Sequence, residues 1–280
     1  MSNFLKRTLT GTIFVVVMIG GIFWNHYSLE ILFFLIAMLG LDEFYRLLAK
    51  AGRESQHKLG LLCGATIFFL ITISKLIGEP AVLYLSFSLL ATIFFAELYR
   101  NKPNPFQNIG YTILGIIYVV MPFALWVNFI KGYSFEMGGK YNPHLLLGFF
   151  FLLWTNDTGA YLVGMSIGKH KLWERISPKK TWEGFFGGVI LAMFIGYVIS
   201  LFYPELNYIL WMLMGLIVGV FGTMGDLVES AFKRSLDVKD SGSILPGHGG
   251  ILDRFDGVFL STPFVLVLLQ LVITVQLMTE

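Results

Sequence analysis

Five long stretches of the chain, residues 8–29, 109–130, 184–203, 206–225 and 257–278, contain no Lys, Arg, Asp or Glu apart from Glu205, just ahead of the fourth. Crossing a hydrocarbon core of about 30 Å at about 1.5 Å per residue takes about 20 helical residues, so each stretch is long enough to span a bilayer. Residues 30–49, 59–75, 80–98 and 144–167 are shorter or charge-interrupted candidates. Inside lipid every backbone N–H and C=O must be satisfied within the segment, and the runs lack the strict alternation of barrel strands. The expected fold is all-α, a polytopic integral membrane helical bundle with about nine transmembrane helices. Composition agrees, at 56% hydrophobic and 14% charged residues, against about 45–50% and about 25% in an ordinary soluble domain. Lys6 and Arg7 precede the first run, but no small-x-small site follows Trp24, so it reads as a retained helix rather than a signal peptide.

Twenty basic residues against eighteen acidic ones leave a net charge of +2, too balanced for a nucleic-acid binder that works by neutralising phosphates. The lone Cys63 excludes an intrachain disulfide framework and a CxxC metal site. Placing the charges on nine crossings with the N-terminus inside is more informative. Seventeen of the twenty Lys and Arg fall on one side, leaving Lys75, Lys131 and Lys140 on the other. By the positive-inside rule that side is cytoplasmic. The chain is then a multi-pass protein of the inner (cytoplasmic) membrane, and the two charge-dense loops, 168–183 and 231–256, face the cytoplasm. No internal repeat or soluble domain stands out, so residues 1–280 read as a single membrane domain.

Carboxylates in membrane helices are costly and usually face a partner, an ion or a water-filled cavity. Asp42, Glu43 and Glu97 lie about one turn from helix ends near Arg46 or Arg100, and local pairing accounts for them. Asp157 differs, lying mid-run in LLWTNDTGAYLVG beside Asn156, which favours a polar cavity. Further on, Asp226, Glu229 and Lys233 share one helical face by their spacing, and Asp253 and Asp256 converge at i, i+3. Asp226, Asp253 and Asp256 offer the oxygen ligands that Mg²⁺ prefers. Spacing alone fits solvated salt bridges with Arg234 and Arg254 equally well. The stretch between the helices, PGHGG around His248, tips the balance. It cannot continue a helix, and it lets the amides near Gly249 and Gly250 approach an anion such as phosphate. Lys233, Arg234, Lys239 and Arg254 crowd the same stretch. In the other loop, Lys179 and Lys180 precede Thr181, a capping residue for the next helix, so two cations flank a helix N-terminus.

The stretch from Ser230 to Asp256 resembles the signature of the phosphatidate cytidylyltransferase (CDP-diacylglycerol synthase) family at every fixed position: Ser230, Lys233, Arg234, Lys239, Asp240, Gly242, Pro246, His248, Gly249, Gly250, Asp253, Arg254 and Asp256. The likeness extends to ISPKKTWEG, which contains Ser177, Lys179, Lys180, Thr181 and Glu183, to NDTGAYLVG, which contains Asn156 and Asp157, and more loosely to EFYRL. Its motifs are densest in a motif-bearing half from about 144 to 280. The resemblance implies a Mg²⁺-dependent nucleotidyltransferase of phospholipid biosynthesis that makes CDP-diacylglycerol and pyrophosphate from CTP and phosphatidic acid. A second cation and a homodimer stay open. On this reading Asp226, Asp253 and Asp256 hold the metal, and Lys233, Arg234, Lys239, Asp240 and His248 serve catalysis. Asn156, Asp157, Ser177, Lys179, Lys180, Thr181, Glu183, His248, Gly249, Gly250 and Arg254 face the substrates.

Two alternatives fit the residues less well. An ion-coupled transporter would place its site near the bilayer midplane, often with repeat symmetry, whereas the charges here gather at one face. A CDP-alcohol phosphotransferase needs D-G-x2-A-R, and Asp256-Gly257 is followed by VFLS.

Overall fold

The computed structural model describes residues 3–136, 138–242 and 249–279. The helices are α1 (Asn3–Trp24), α2 (His26–Lys50), α3 (His57–Thr72), the single turn α4 (Ser74–Ile77), α5 (Glu79–Arg100), α6 (Pro105–Gly115), α7 (Met121–Glu136), α8 (His144–Ile167), α9 (Trp182–Ser200), α10 (Tyr208–Ser235) and α11 (Leu252–Thr279). A π-helical stretch, Ile116–Val120, joins α6 to α7. Among the described residues the fold is all-α except for one antiparallel hairpin, β1 (Lys171–Trp173) with β2 (Ser177–Thr181), in which Lys171 pairs with Thr181 and Trp173 with Ser177.

Among the described residues six helices, not nine, are long and apolar enough to cross a membrane: Glu79–Arg100, Pro105–Phe135, His144–Ile167, Trp182–Ser200, Tyr208–Ser235 and Leu252–Gln276. The three remaining candidates fall short for separate reasons. The second helix is long enough but contains Glu30, Asp42, Glu43, Arg46 and Lys50. The third has 16 residues, about 24 Å at 1.5 Å per residue. The first, Asn3–Trp24, is 22 residues long, and its stretch among residues with described side chains is Thr8–Trp24. The chain is a multi-pass membrane protein.

The chain divides into two compact units, Met1–Asn142 with Leu236–Arg254, and Pro143–Ser235 with Phe255–Glu280. In the first, α2 buries Leu29, Phe33, Ile36, Ala37, Leu41, Phe44 and Leu48, spaced three and four apart as one helical face requires. Its start is fixed by a capping box, Asn25 accepting from Tyr27 and Ser28 N–H while Ser28 accepts from Asn25 N–H. Glu97 is 4% exposed. It accepts hydrogen bonds from Gln56 Nε2 (2.6 Å), Asn108 Nδ2 (2.7 Å) and Arg100 Nη1 (2.7 Å), so this carboxylate is a satisfied structural joint.

The second unit is built on α8, α9 and α10. Lipid tails are as apolar as leucine, so membrane helices associate through close packing at small residues. A Cβ at Gly148 would collide with the ring of Trp211, and one at Gly188 would lie 2.7 Å from both Asn156 O and Asn156 Oδ1. The three helices therefore touch backbone to side chain. At one end His144 pairs with Glu205 and stacks on Tyr203, with ring centroids 4.4 Å apart. The hairpin and the polar residues lie at the other end.

Candidate active site

A cavity of about 340 Å³ opens in the second unit, lined by Asp157, Ala160, Tyr161, Gly164 and Met165 of α8, Leu172, Lys179, Lys180 and Thr181 of the hairpin, Gly184 and Phe185 of α9, and Thr223 and Asp226 of α10. Its lining mixes apolar and charged side chains. Thr181 joins the hairpin to α9 by ending β2 and capping the helix: its backbone is extended, and its Oγ1 accepts from Gly184 N–H at 3.2 Å. Glu183, in the first turn of α9, accepts from the N–H groups of Lys169 and His170 at 3.1–3.3 Å and contacts His170 Nδ1 at 2.6 Å. Glu183 thus ties down the strand-side approach to the hairpin rather than lining the cavity. Ser177 sits at the β1–β2 pairing, opposite Trp173.

Lys180 forms an ion pair with Asp226 Oδ2, and Ser230 Oγ donates to Asp226 Oδ1 at 3.2 Å. Lys179 is exposed at the cavity edge. One turn below Asp226, Glu229 and Lys233 are both buried and paired at 2.5 Å. Asp256 belongs to the same unit. A Cβ at Gly225 would collide with its carbonyl oxygen, so α10 and α11 meet at this level. Asp256 lies near enough to Asp226, Asp157 and Glu229 for their charges to act on one another. Asn156 is 1% exposed and lies behind the cavity, its Nδ2 donating to Thr223 Oγ1 at 3.3 Å. Arg234 is exposed at the end of α10.

The other half of the signature lies in the first unit. Asp253 Oδ2 accepts from Ser241 N–H (3.0 Å), Ser241 Oγ (2.9 Å) and Gly250 N–H (2.9 Å). Gly249 adopts φ +85°, where a side chain is strained, and a Cβ there would lie 2.6 Å from Asp253 Oδ2. Lys239, Asp240 and Arg254 are exposed. His248, with Pro246 and Gly247, lies outside the described residues. The largest surprise is Glu43 of α2, 4% exposed. It accepts from Ile251 N–H (3.0 Å) and Leu252 N–H (3.1 Å) and from Ser241 Oγ. The amides of Gly250, Ile251 and Leu252 are thus committed to protein carboxylates. Proximity to Arg46 in the sequence hid this, because Arg46 pairs with Asp42 at 2.7 Å instead. The available signal was a second carboxylate directly after Asp42, one more than Arg46 needed.

The cytidylyltransferase family profile matches residues 5–272. A phosphatidate cytidylyltransferase of Staphylococcus haemolyticus is 34% identical over 275 residues, covering 94% of this chain and 98% of its own. The enzyme of the same name from Bacillus subtilis is 34% identical over 97% of this chain and 99% of its own. The chain belongs to the phosphatidate cytidylyltransferase family. A Staphylococcus aureus phosphatidate cytidylyltransferase reaches 40% identity over 197 residues, 70% of each chain.

As a member of the phosphatidate cytidylyltransferase family the chain is a membrane-bound nucleotidyltransferase of phospholipid biosynthesis, and the family implies catalysis with a divalent cation. Among the described residues no group of three or more His, Cys, Asp and Glu side chains is gathered to hold a metal by itself. A hard cation that keeps several waters and uses one or two carboxylates plus substrate phosphates does not need such a cage. The oxygen-only donor set and the clustered charge of Asp226 and Asp256 fit a cation of that kind.

Proposed function

We propose that the chain transfers CMP from CTP to the phosphate of phosphatidic acid, releasing CDP-diacylglycerol and pyrophosphate, with Mg²⁺ as the cation and the reaction at the cytoplasmic face of the cell membrane. One observation carries this reading: one cavity brings Lys179, Lys180, Thr181 and Asp226 together with Tyr161, Met165, Leu172 and Phe185. Cations and a helix N-terminus suit phosphates, and the apolar side chains of the lining suit a lipid whose chains stay in the bilayer.

In the reaction a phosphate oxygen of phosphatidic acid attacks the α-phosphorus of CTP in line. An oxygen–phosphorus bond forms as the bond to the β-phosphate breaks, and pyrophosphate leaves. The attacking phosphate is already ionised at neutral pH, so no general base is required. Catalysis is then positioning and charge stabilisation. Asp226 and Asp256 would hold Mg²⁺, which when bound neutralises phosphate charge. Lys180, now paired with Asp226, exchanges that partner for a phosphate oxygen. Lys179 reaches the same phosphates from the cavity edge, Thr181 presents the start of α9, and Asp157 shapes the polar floor. Asn156 fixes Thr223 from behind. Asp253, one helical turn before Asp256, serves the loop that it fastens. Arg234, exposed at the end of α10, is proposed as a further phosphate-facing cation, while Lys233 is held by Glu229.

The test is purified protein in detergent with labelled CTP, phosphatidic acid and Mg²⁺, followed for lipid-linked CMP and free pyrophosphate. The expected result is equimolar formation of the two. A folded sample that makes neither ends the proposal.

A further inference from the structure

We infer that Glu43, on a helix outside the signature motif, is a positioning residue for cytidylyl transfer, acting by holding the loop that opens α11. Its carboxylate is 4% exposed, and the donors that reach it from this loop are neutral: Ile251 N–H, Leu252 N–H and Ser241 Oγ. The neighbouring cation, Arg46, pairs with Asp42, which also meets His57 at 2.8 Å. Burying a charge among neutral donors is expensive, and it is balanced here by the N-terminal end of α11, whose amides and dipole favour an anion.

The three contacts bridge about two hundred residues of sequence and meet on both sides of the loop, at Ser241 before it and at Ile251 and Leu252 after it. Asp253 Oδ2 completes the clamp by taking Ser241 N–H and Gly250 N–H. The packing leaves no slack, since a Cβ at Gly250 would collide with Glu43 Oε1 and one at Gly242 would lie 2.6 Å from Glu43 Oε2. Leu252, held by Glu43, is the first residue of the helix on which Asp256 sits one turn later. Releasing Leu252 frees that first turn, and a displacement of about 1 Å in a catalytic group can cost about 10²-fold in rate.

The kinetic arm of this inference rests on the proposed cytidylyl transfer, while the structural arm does not. Glu43→Gln keeps the volume but sets an NH₂ against donors that need an acceptor. In metal-free Glu43→Gln protein, amide hydrogen exchange at Ser241 and at residues 250–252 is expected to quicken at least about ten-fold, with α8 to α10 unchanged. With substrates, kcat is expected to fall about ten- to a hundred-fold while KM for CTP stays within about two-fold, because Glu43 binds no substrate. Should Glu43→Gln not accumulate, Ser241→Ala removes only the shared hydroxyl and is expected to move both readouts the same way by less. Wild-type exchange in either variant overturns the clamp. Rapid exchange with wild-type kcat overturns the catalytic link and leaves Glu43 a merely structural cap. A wild-type protein that makes no CDP-diacylglycerol removes the kinetic claim and leaves exchange to judge the clamp.

Discussion

Lys180 and Asp226 are paired in the cavity lining, with side chains 26% and 34% exposed. A partly solvated pair of this kind stabilises a fold by about 0–1 kcal/mol, so its position in the cavity wall is better explained by chemistry than by stability. Lys180→Gln should therefore leave the unfolding temperature in detergent within a few degrees of wild type, yet lower turnover about 10²-fold, the scale of losing one charge-stabilising donor. A large loss of thermal stability with unchanged kcat in the folded fraction would refute that assignment. Asp256→Asn takes one carboxyl group out of a cluster with Asp226, Asp157 and Glu229. We expect a folded protein with turnover at least about 10²-fold down and a raised Mg²⁺ requirement, read from rate against Mg²⁺ concentration after chelation. Near-wild-type values would separate Asp256 from the cation. At this scale the sequence was informative for Asp226, Lys179, Lys180 and Thr181, because residue type and helix-end spacing limit what such groups do. It was uninformative for Glu43, whose partners at Ser241 and Leu252 are brought to it only by the tertiary fold.

Among the elements, the α8–α9–α10 core depends on absent side chains more than on present ones. A Cβ at Gly188 would lie 2.7 Å from Asn156 O and 3.1 Å from Ala160 Cβ, and a backbone carbonyl has little room to yield. Gly188→Val is expected to destabilise the protein by about 1–3 kcal/mol through overpacking, seen as a lower unfolding temperature in detergent. At Gly110 on α6 a Cβ would meet nothing within 4 Å, so Gly110→Ala is expected to be neutral or to gain up to about 1 kcal/mol of helix propensity. Equal effects at the two positions would mean that close helix approach is not what Gly188 provides. Hydropathy revealed these helices and not their contacts, since a run of apolar residues looks alike whether it meets lipid or another helix. The hairpin was missed for a related reason: KLW and SPKKT are too short and too polar to show strand periodicity, and they pair because α8 and α9 bring their ends together.

For the whole molecule, the decisive question is which face of the membrane the cavity meets. The count of seventeen against three depended on nine crossings, and six helices qualify among the described residues. The second unit carries a charge bias of its own. Its Lys and Arg residues are Lys169, Lys171, Arg175, Lys179, Lys180, Lys233 and Arg234, and they cluster at the hairpin end, where Lys180 meets Asp226 near the close of α10. The opposite end, where His144 meets Glu205, has no Lys or Arg. A bias of this kind sets orientation through the short loops flanking a span, so the hairpin should be cytoplasmic and the α9–α10 turn external. Those points are separated by α9, 19 residues long and so about 28 Å, enough to put a bilayer between them. With Cys63→Ala removing the native thiol, single cysteines at Arg175→Cys and Pro204→Cys report the two faces. In intact cells a membrane-impermeant maleimide is expected to label position 204 and spare 175, and to label both after permeabilisation. Labelling of 175 alone in intact cells would invert the unit and place the cavity on the side that CTP does not reach, contradicting both the orientation and the proposed reaction.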